Sequence, residues 1–286
     1  MFALRTVFCP VDFSPATSRQ INLAADLCEA FGAKLIVHHN RHALAGAGVG
    51  WMWNADHRGD TQASLEKKVQ DCVARVSHRV AAEALLTEGP RSQLVLAAAD
   101  AVDADLVVLT AHGSHAEDHA SITEVLLEDG HRAVLVLHEP TVEPRALQFA
   151  GMEERQVVIA PTDLTPGSNA ALAVAFDLAR TLPIELHLLH LLPKRSRGKE
   201  ADADALTSLR QLIPHELDGR VSVHVEHDDP SHGISRFADQ IAASCIVMGE
   251  HSRPPIRRWF RHGISRAVLH DAHCPVWYVP GNGTIS

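Results

Sequence analysis

Two stretches of the chain carry side chains dense enough for chemistry. His112-Gly113-Ser114-His115-Ala116-Glu117-Asp118-His119 packs three imidazoles and two carboxylates into eight residues. Such donors suit zinc or another divalent transition metal, with His112, His115 and His119 as the candidate ligands. A structural zinc site needs four fixed donors, however, and this segment reads as a flexible loop. A solvated loop is the preferred reading. The second stretch holds Arg253, Arg257, Arg258, Arg261 and Arg266, whose guanidinium groups grip phosphate or carboxylate through paired hydrogen bonds. Asp12 and Asp163 each follow an apolar run, where a carboxylate either meets a ligand or caps the next helix.

Catalysis finds no support. The sequence lacks a Gly-x-Ser-x-Gly elbow, a Walker loop and an HExxH pair. Asp228-Asp229 and Glu153-Glu154 fall on turns and read as solvated faces rather than acid–base dyads. Cys9 lies inside an apolar run, where a thiol is inert. The formal net charge of −9 argues against general nucleic-acid or anionic-membrane binding, and leaves the arginines as a local patch at most. Five cysteines without a CxxC pair fit a reducing compartment. No signal-like start and no apolar run of about 18 residues is visible, so a cytoplasmic protein is expected.

The elements that must position these groups occur twice. Phe8-Cys9-Pro10-Val11-Asp12-Phe13-Ser14-Pro15 aligns with Ile159-Ala160-Pro161-Thr162-Asp163-Leu164-Thr165-Pro166 at an offset of 151. Leu106–His112 aligns with Cys245–His251 at 139, and Ala133–Leu137 with Pro275–Val279 at 142. Two copies of one domain follow, over residues 1–140 and 153–286, with Glu139–Met152 as linker. In each copy five apolar runs alternate with helical patterns. The runs are Thr6–Val11, Lys34–His39, Val80–Leu86, Asp105–Thr110 and Ala133–Leu137, then Val157–Pro161, Glu185–Leu191, Val221–Glu226, Ser244–Gly249 and Pro275–Val279. Runs apolar on both faces belong to a parallel sheet covered by helices. Ser14-Pro15 and Thr165-Pro166 read as a hydroxyl N-cap before a proline at the first helical position. Gly32 and Pro183 mark where those helices stop. Val69, Cys72, Val73 and Val76, and later Ile234, Phe237, Ala238 and Ile241, give further helices an apolar face. The fold class is α/β, as two open doubly wound domains that bind ligands beyond the carboxyl ends of their strands.

The halves resemble universal stress protein domains. The resemblance is carried by Pro10–Ser14 and Pro161–Thr165, by Leu35-Ile36-Val37-His38 and Leu188-Leu189-His190, by Thr110–Gly113 and Gly249–Ser252, and by Cys274-Pro275-Val276. It implies a five-stranded parallel sheet of order 3-2-1-4-5 in each domain. Nucleotide-binding members are similar in a loop G-x2-G-x9-G-[S/T] after the fourth strand and in an aspartate beside the adenosine. Glycines there let amides close on phosphates, and the last pair opens a helix whose N-terminus favours anions. In the first copy Thr110 and Ala120 stand at two glycine places, and only Gly113 and Ser121 match, so Asp12, Gly113 and Ser121 make a degenerate site. In the second, Gly249 is kept, Ser252 replaces a glycine, and His262-Gly263 replaces the closing pair, with Pro254 and Pro255 removing amide donors.

The nucleotide or anion candidates are therefore Asp163, Leu191, Gly249, Ser252, Arg257, Arg258, His262 and Gly263. By the same resemblance, His38 and His190 share a position often held by histidine, with a structural hydrogen bond. His39 stands where an apolar residue packs on adenine, a place Leu191 takes in the second copy. The resemblance points to a non-enzymatic stress-response protein that binds a partner or small ligand. The rival reading is an ATP sensor using the second domain, and a third is a metal-binding protein. The last strands are apolar edges that pair unless covered, so pairing of the two copies within one chain is expected, and a homodimer through them is compatible. Gly46–Trp53 reads as tryptophans packed on the second domain, or as a lid or partner contact.

Overall fold

The computed structural model describes residues 4–41, 61–88, 91–111, 123, 126, 132–138, 156–195, 198–249 and 263–281. They form two compact units, one of residues 4–109 and the other carrying the rest of the described chain.

In the first unit β1 (Thr6–Pro10), β2 (Lys34–Arg41), β3 (Ala82–Glu88) and β4 (Leu106–Ala111) follow the order β3-β2-β1-β4, and every pairing within it is parallel. α1 (Thr17–Phe31), α2 (Gln62–Val76) and α3 (Arg91–Ala101) are the described crossovers. Val7, Phe8 and Cys9 are wholly buried, as a strand covered on both faces requires. Val69, Cys72, Val73 and Val76 of α2 are buried too, so the apolar stripe read from their spacing is the packing face. Asp105 accepts the N–H groups of Arg5 and Thr6 at 2.8 and 2.9 Å, satisfying the frayed start of β1.

The second unit repeats the plan with β6 (Gln156–Pro161), β7 (Ile184–Leu192), β8 (Val221–His227), β9 (Cys245–Gly249) and β10 (Val276–Val279) in the order β8-β7-β6-β9-β10. This is the full 3-2-1-4-5 pattern. α4 (Asn169–Thr181), α5 (Lys199–Leu212), α6 (Pro230–Gln240) and α7 (Ile264–Asp271) connect its strands. β5 (Ala133–His138) comes from the first sequence copy but lies in this second unit. It runs antiparallel to β10, with Val136, Leu135 and Val134 opposite Val276, Trp277 and Tyr278. The two apolar last strands thus cover one another.

The helix stops fall where expected. Gly32 caps α1 at φ 67°, a left-handed position that costs glycine nothing. Leu182, before Pro183, ends α4 in an extended conformation, as a residue preceding proline prefers. The helix starts differ from expectation. α1 begins at Thr17 with no side-chain cap, and Thr165 stands as N-cap before Pro166 of a 3-10 turn, Pro166–Ser168, with its carbonyl but not its hydroxyl accepting from Ser168 N–H. The aspartates bind the amides just before the helices. Asp12 Oδ1 accepts from Ser14 N–H and Asp163 Oδ1 from Thr165 N–H, each at 3.0 Å. A carboxylate two residues back is the stronger acceptor.

Trp277 is wholly buried between β9 and β5. Trp277→Ala is expected to cost about 3–5 kcal/mol of stability, read from the urea midpoint. A loss under about 1 kcal/mol would show that the β5–β10 pairing leaves no packed core behind it.

Candidate functional site

At the carboxyl end of each first strand the same clamp is built. In the second unit Thr162 N–H donates to Leu189 O at 2.9 Å, while the ring of His190 bonds Thr162 O through Nδ1 at 2.8 Å. In the first, Val11 N–H donates to His38 O at 2.7 Å, and His39 Nδ1 meets Val11 O at 2.8 Å. A carbonyl only accepts, so both rings carry their proton on Nδ1. This corrects the sequence alignment of the second strands. Pro10 pairs with His38 and Pro161 with Leu189, so His39, not His38, is the counterpart of His190. The counterpart of Leu191 is then Asn40. A two-residue motif such as Val-His is too short to settle register by eye, and the ladder settles it.

The chain turns sharply just beyond the clamp. Phe13 and Leu164 occupy the same place in their copies and adopt φ 61° and 62°. Side chains other than glycine are rarely held there without tertiary support. In the second unit the support is a hydroxyl chain. Ser168 donates to Thr165 O at 2.9 Å, so at the 2.7 Å contact between Thr162 and Ser168 the proton comes from Thr162. Thr162 Oγ1 in turn accepts from Leu164 N–H at 3.0 Å. Sequence reasoning missed Thr162 and Ser168, because in the first copy those places are Val11 and Thr17.

Here the described residues of the second unit line a small open cleft, with about 50 Å³ of interior volume. Thr162, Asp163 and Ser168 form its polar side. Leu189, Leu191, Ile234 and Met248 form its apolar walls. Gly249 closes the floor, and a methyl group there would stand 3.2 Å from Gly167 O and 3.3 Å from Ala171 Cβ. Its glycine is explained by that approach of β9 to α4. Gly263 precedes α7 as its N-cap, and Ile264 after it lines the cleft. Of the sequence candidates, Asp163, Leu191 and Gly249 therefore share one cleft, and Gly263 adjoins it. Ser252, Arg257, Arg258 and His262, like Gly113, Ser121, His112, His115, His119, Gly46–Trp53 and Glu153-Glu154, lie outside the described residues. Among the described residues no group of three His, Cys, Asp or Glu side chains could hold a metal ion.

The first unit differs at the corresponding place. Gln20, 3% exposed, donates through Nε2 to Pro10 O at 2.7 Å and to Val108 O at 2.8 Å. It bridges the end of β1 to the middle of β4. Its counterpart in the second copy is Ala171, which has no polar group to make that bridge and packs against β9 at Gly249 instead. Asp12 Oδ1 also takes the hydroxyl of Thr17 at 3.2 Å. Phe13 packs on His39 with ring centroids 4.4 Å apart, and Asn40 accepts from Thr87 at 3.1 Å. Polar and aromatic groups thus stand where the second copy keeps Leu191 and open space.

Two acid–base readings are now decided. Burial pushes the Cys9 thiol well above its ordinary range, so it is inert, as read from the sequence. Asp228, expected on a solvated face, is 3% exposed and bonded to Lys194 at 2.9 Å. A turn position concealed it because its partners come from elements distant in sequence. Asp229 does cap α6, accepting from Ser231 N–H at 2.9 Å.

The family model for the universal stress protein family matches residues 3–138 and 154–280. The chain belongs to the universal stress protein family. Its two matched segments make it a tandem member. A universal stress protein from Archaeoglobus fulgidus is similar over 97% of both chains, at 19% identity and a TM-score of 0.72. A functionally unknown protein from Pseudomonas aeruginosa is similar over 98% of this chain and 94% of its own, at 15% identity and 0.66. A putative universal stress protein from a second Pseudomonas aeruginosa strain gives 16% and 0.65, over 97% of this chain and 93% of its own. At these identities the likeness is one of fold. No curated protein matches the chain. No helix among the described residues is long and apolar enough to cross a membrane.

His38 offers a test of the first clamp. It is wholly buried, and Nε2 lies 2.8 Å from Thr87 Oγ1. Thr87 gives its own proton to Asn40, so His38 donates and its Nδ1 is the unprotonated nitrogen. Burial, and then the neighbouring His39, lower its pKa from the ordinary 6.5 to about 4. A depressed folded value means the unfolded chain binds the proton first. Stability from the neutral ring is complete above pH 6.5 and drains away as pH falls toward 4. Between pH 7 and 5 the wild type should lose about 2 kcal/mol more than His38→Gln, measured by urea unfolding. Equal losses would contradict the neutral buried ring.

Proposed function

We propose that this universal stress protein is a cytoplasmic, non-enzymatic stress-response module that works by binding one small ligand in the cleft of its second domain. An adenine nucleotide is the ligand class that the cleft suits best. The observation that carries this reading is the cleft itself, where Thr162, Asp163 and Ser168 face Leu189, Leu191, Ile234 and Met248 at the carboxyl ends of the strands. A flat apolar base fits between Leu191, Ile234 and Met248. Ribose hydroxyls are suited to Asp163, and a phosphate to the N-terminus of α7, where the helix dipole favours negative charge. Among the described lining residues none pairs a nucleophile with a base, so the reading assigns the cleft recognition and no bond-making step.

Calorimetric titration with ATP and Mg²⁺ tests it. The expected result is one site per chain with a dissociation constant on the order of micromolar. Asp163→Ala should weaken that binding roughly tenfold or more, about 1.4 kcal/mol. No heat at millimolar ATP would overturn the nucleotide reading, and direct the search to protein partners.

A further inference from the structure

Asp228 is the most buried carboxylate among the described residues, and it stands where three elements meet. Its N–H continues the ladder beyond β8 by donating to Leu192 O at 3.0 Å. Oδ1 accepts from Asp229 N–H at 2.9 Å and faces Lys194 Nζ at 2.9 Å. Oδ2 meets the guanidinium of Arg236. Lys194 follows β7, and Arg236 lies in the middle of α6. A buried carboxylate held by two cations is stable only while its partners remain. The hydrogen bond from Lys194, then that from the Asp229 amide, holds the carboxyl below its ordinary range, so it stays charged at neutral pH.

The backbone of α6 leans on the same point. A methyl group on Gly233 would stand 2.9 Å from Asp228 Cβ and 3.1 Å from Leu191 Cδ2. One carboxylate thus ties the end of β7, which carries Leu191, to α6, which carries Ile234, and both side chains are walls of the cleft. The first unit has no such tie. His38 pairs with Leu85 as Leu189 pairs with His224, which puts Gly89 and Ala97 in the places of Asp228 and Arg236. The carboxylate and its guanidinium are found together in the copy with the cleft, and neither is found in the copy that carries Gln20.

We propose that Asp228 is a positioning residue for the second domain's cleft, locking the end of β7 and α6 at the spacing that keeps Leu191 and Ile234 facing one ligand. The proposal rests on the reading of that cleft as a ligand site. Lys194 and Arg236 are the two arms of the lock, and Gly233 is the seat that lets α6 come close enough to use it.

Hydrogen exchange on the full chain tests the lock without any ligand. Asp228→Asn keeps the shape and removes the charge. Arg236→Gln, at a half-exposed residue, removes one arm without disturbing the packing, and decides the matter if the first variant fails to fold. Both are expected to raise exchange at Leu191, Leu192 and the amides of 233–240 by about tenfold, with β6 and β9 unchanged. Exchange equal to wild type in the folded variants, or faster exchange spread evenly over the unit, would overturn the proposal. Where wild type binds ATP with Mg²⁺, the same variants should weaken binding about tenfold. Weaker binding with unchanged exchange would also overturn it, by making Asp228 a direct contact. A wild type that takes no ATP ends the nucleotide reading, while the exchange pattern still judges Asp228.

Discussion

The peptide at the end of each first strand is held from both sides, and the rest of the architecture is arranged around it. Val11 and Thr162 give their N–H to the second strand's backbone and their C=O to a histidine ring on the next residue of that strand. Beyond the clamp the chain must turn at once, so Phe13 and Leu164 accept positive φ. The aspartate between clamp and turn is fixed as a result, with Oδ1 already committed to the amide two residues on. Without the clamp, the loss of backbone freedom and the strain of the turn, each of order 1 kcal/mol or more, would have no compensation. The site is therefore an extension of the sheet rather than a loop laid over it.

The same frame carries two different contents. In the first unit Gln20 satisfies the carbonyls of Pro10 and Val108, Phe13 packs on His39, and Thr87 bonds Asn40. Buried carbonyls with a partner are stable without a ligand. In the second unit Ala171 offers nothing to bond, and Leu189, Leu191 and Met248 keep the walls apolar. An open apolar cleft with a polar side gains by being occupied.

Much of this was legible in the residues. The repeated Pro-x-Asp-x-[Ser/Thr]-Pro fixed the location of both first turns, and the apolar runs located all ten strands to within two residues at either end. Period and burial explain that success, since a strand covered on both faces admits few polar residues. The hydroxyl caps were misread: the amides of Thr17 and Ser168 go to the carbonyls of Ser14 and Thr165, and the Thr165 hydroxyl donates to Asp163. The register of β2 was misread by one residue, for two adjacent histidines look alike until a ladder distinguishes His38 from His39. Gln20 and Asp228 could not be found from local pattern. Their roles depend on carbonyls and cations from elements far along the chain, and only the comparison of Gln20 with Ala171 and of Asp228 with Gly89 hints at them.

The central claim is the proposal that, of two copies sharing one frame, the second takes the ligand. Native mass spectrometry of freshly purified protein, mixed with ATP and Mg²⁺, measures this most directly. The account requires a single adduct per chain, lost when Leu191 is replaced by aspartate and retained when Asn40 is. Two adducts per chain would contradict it, because the first copy would then take a ligand as well.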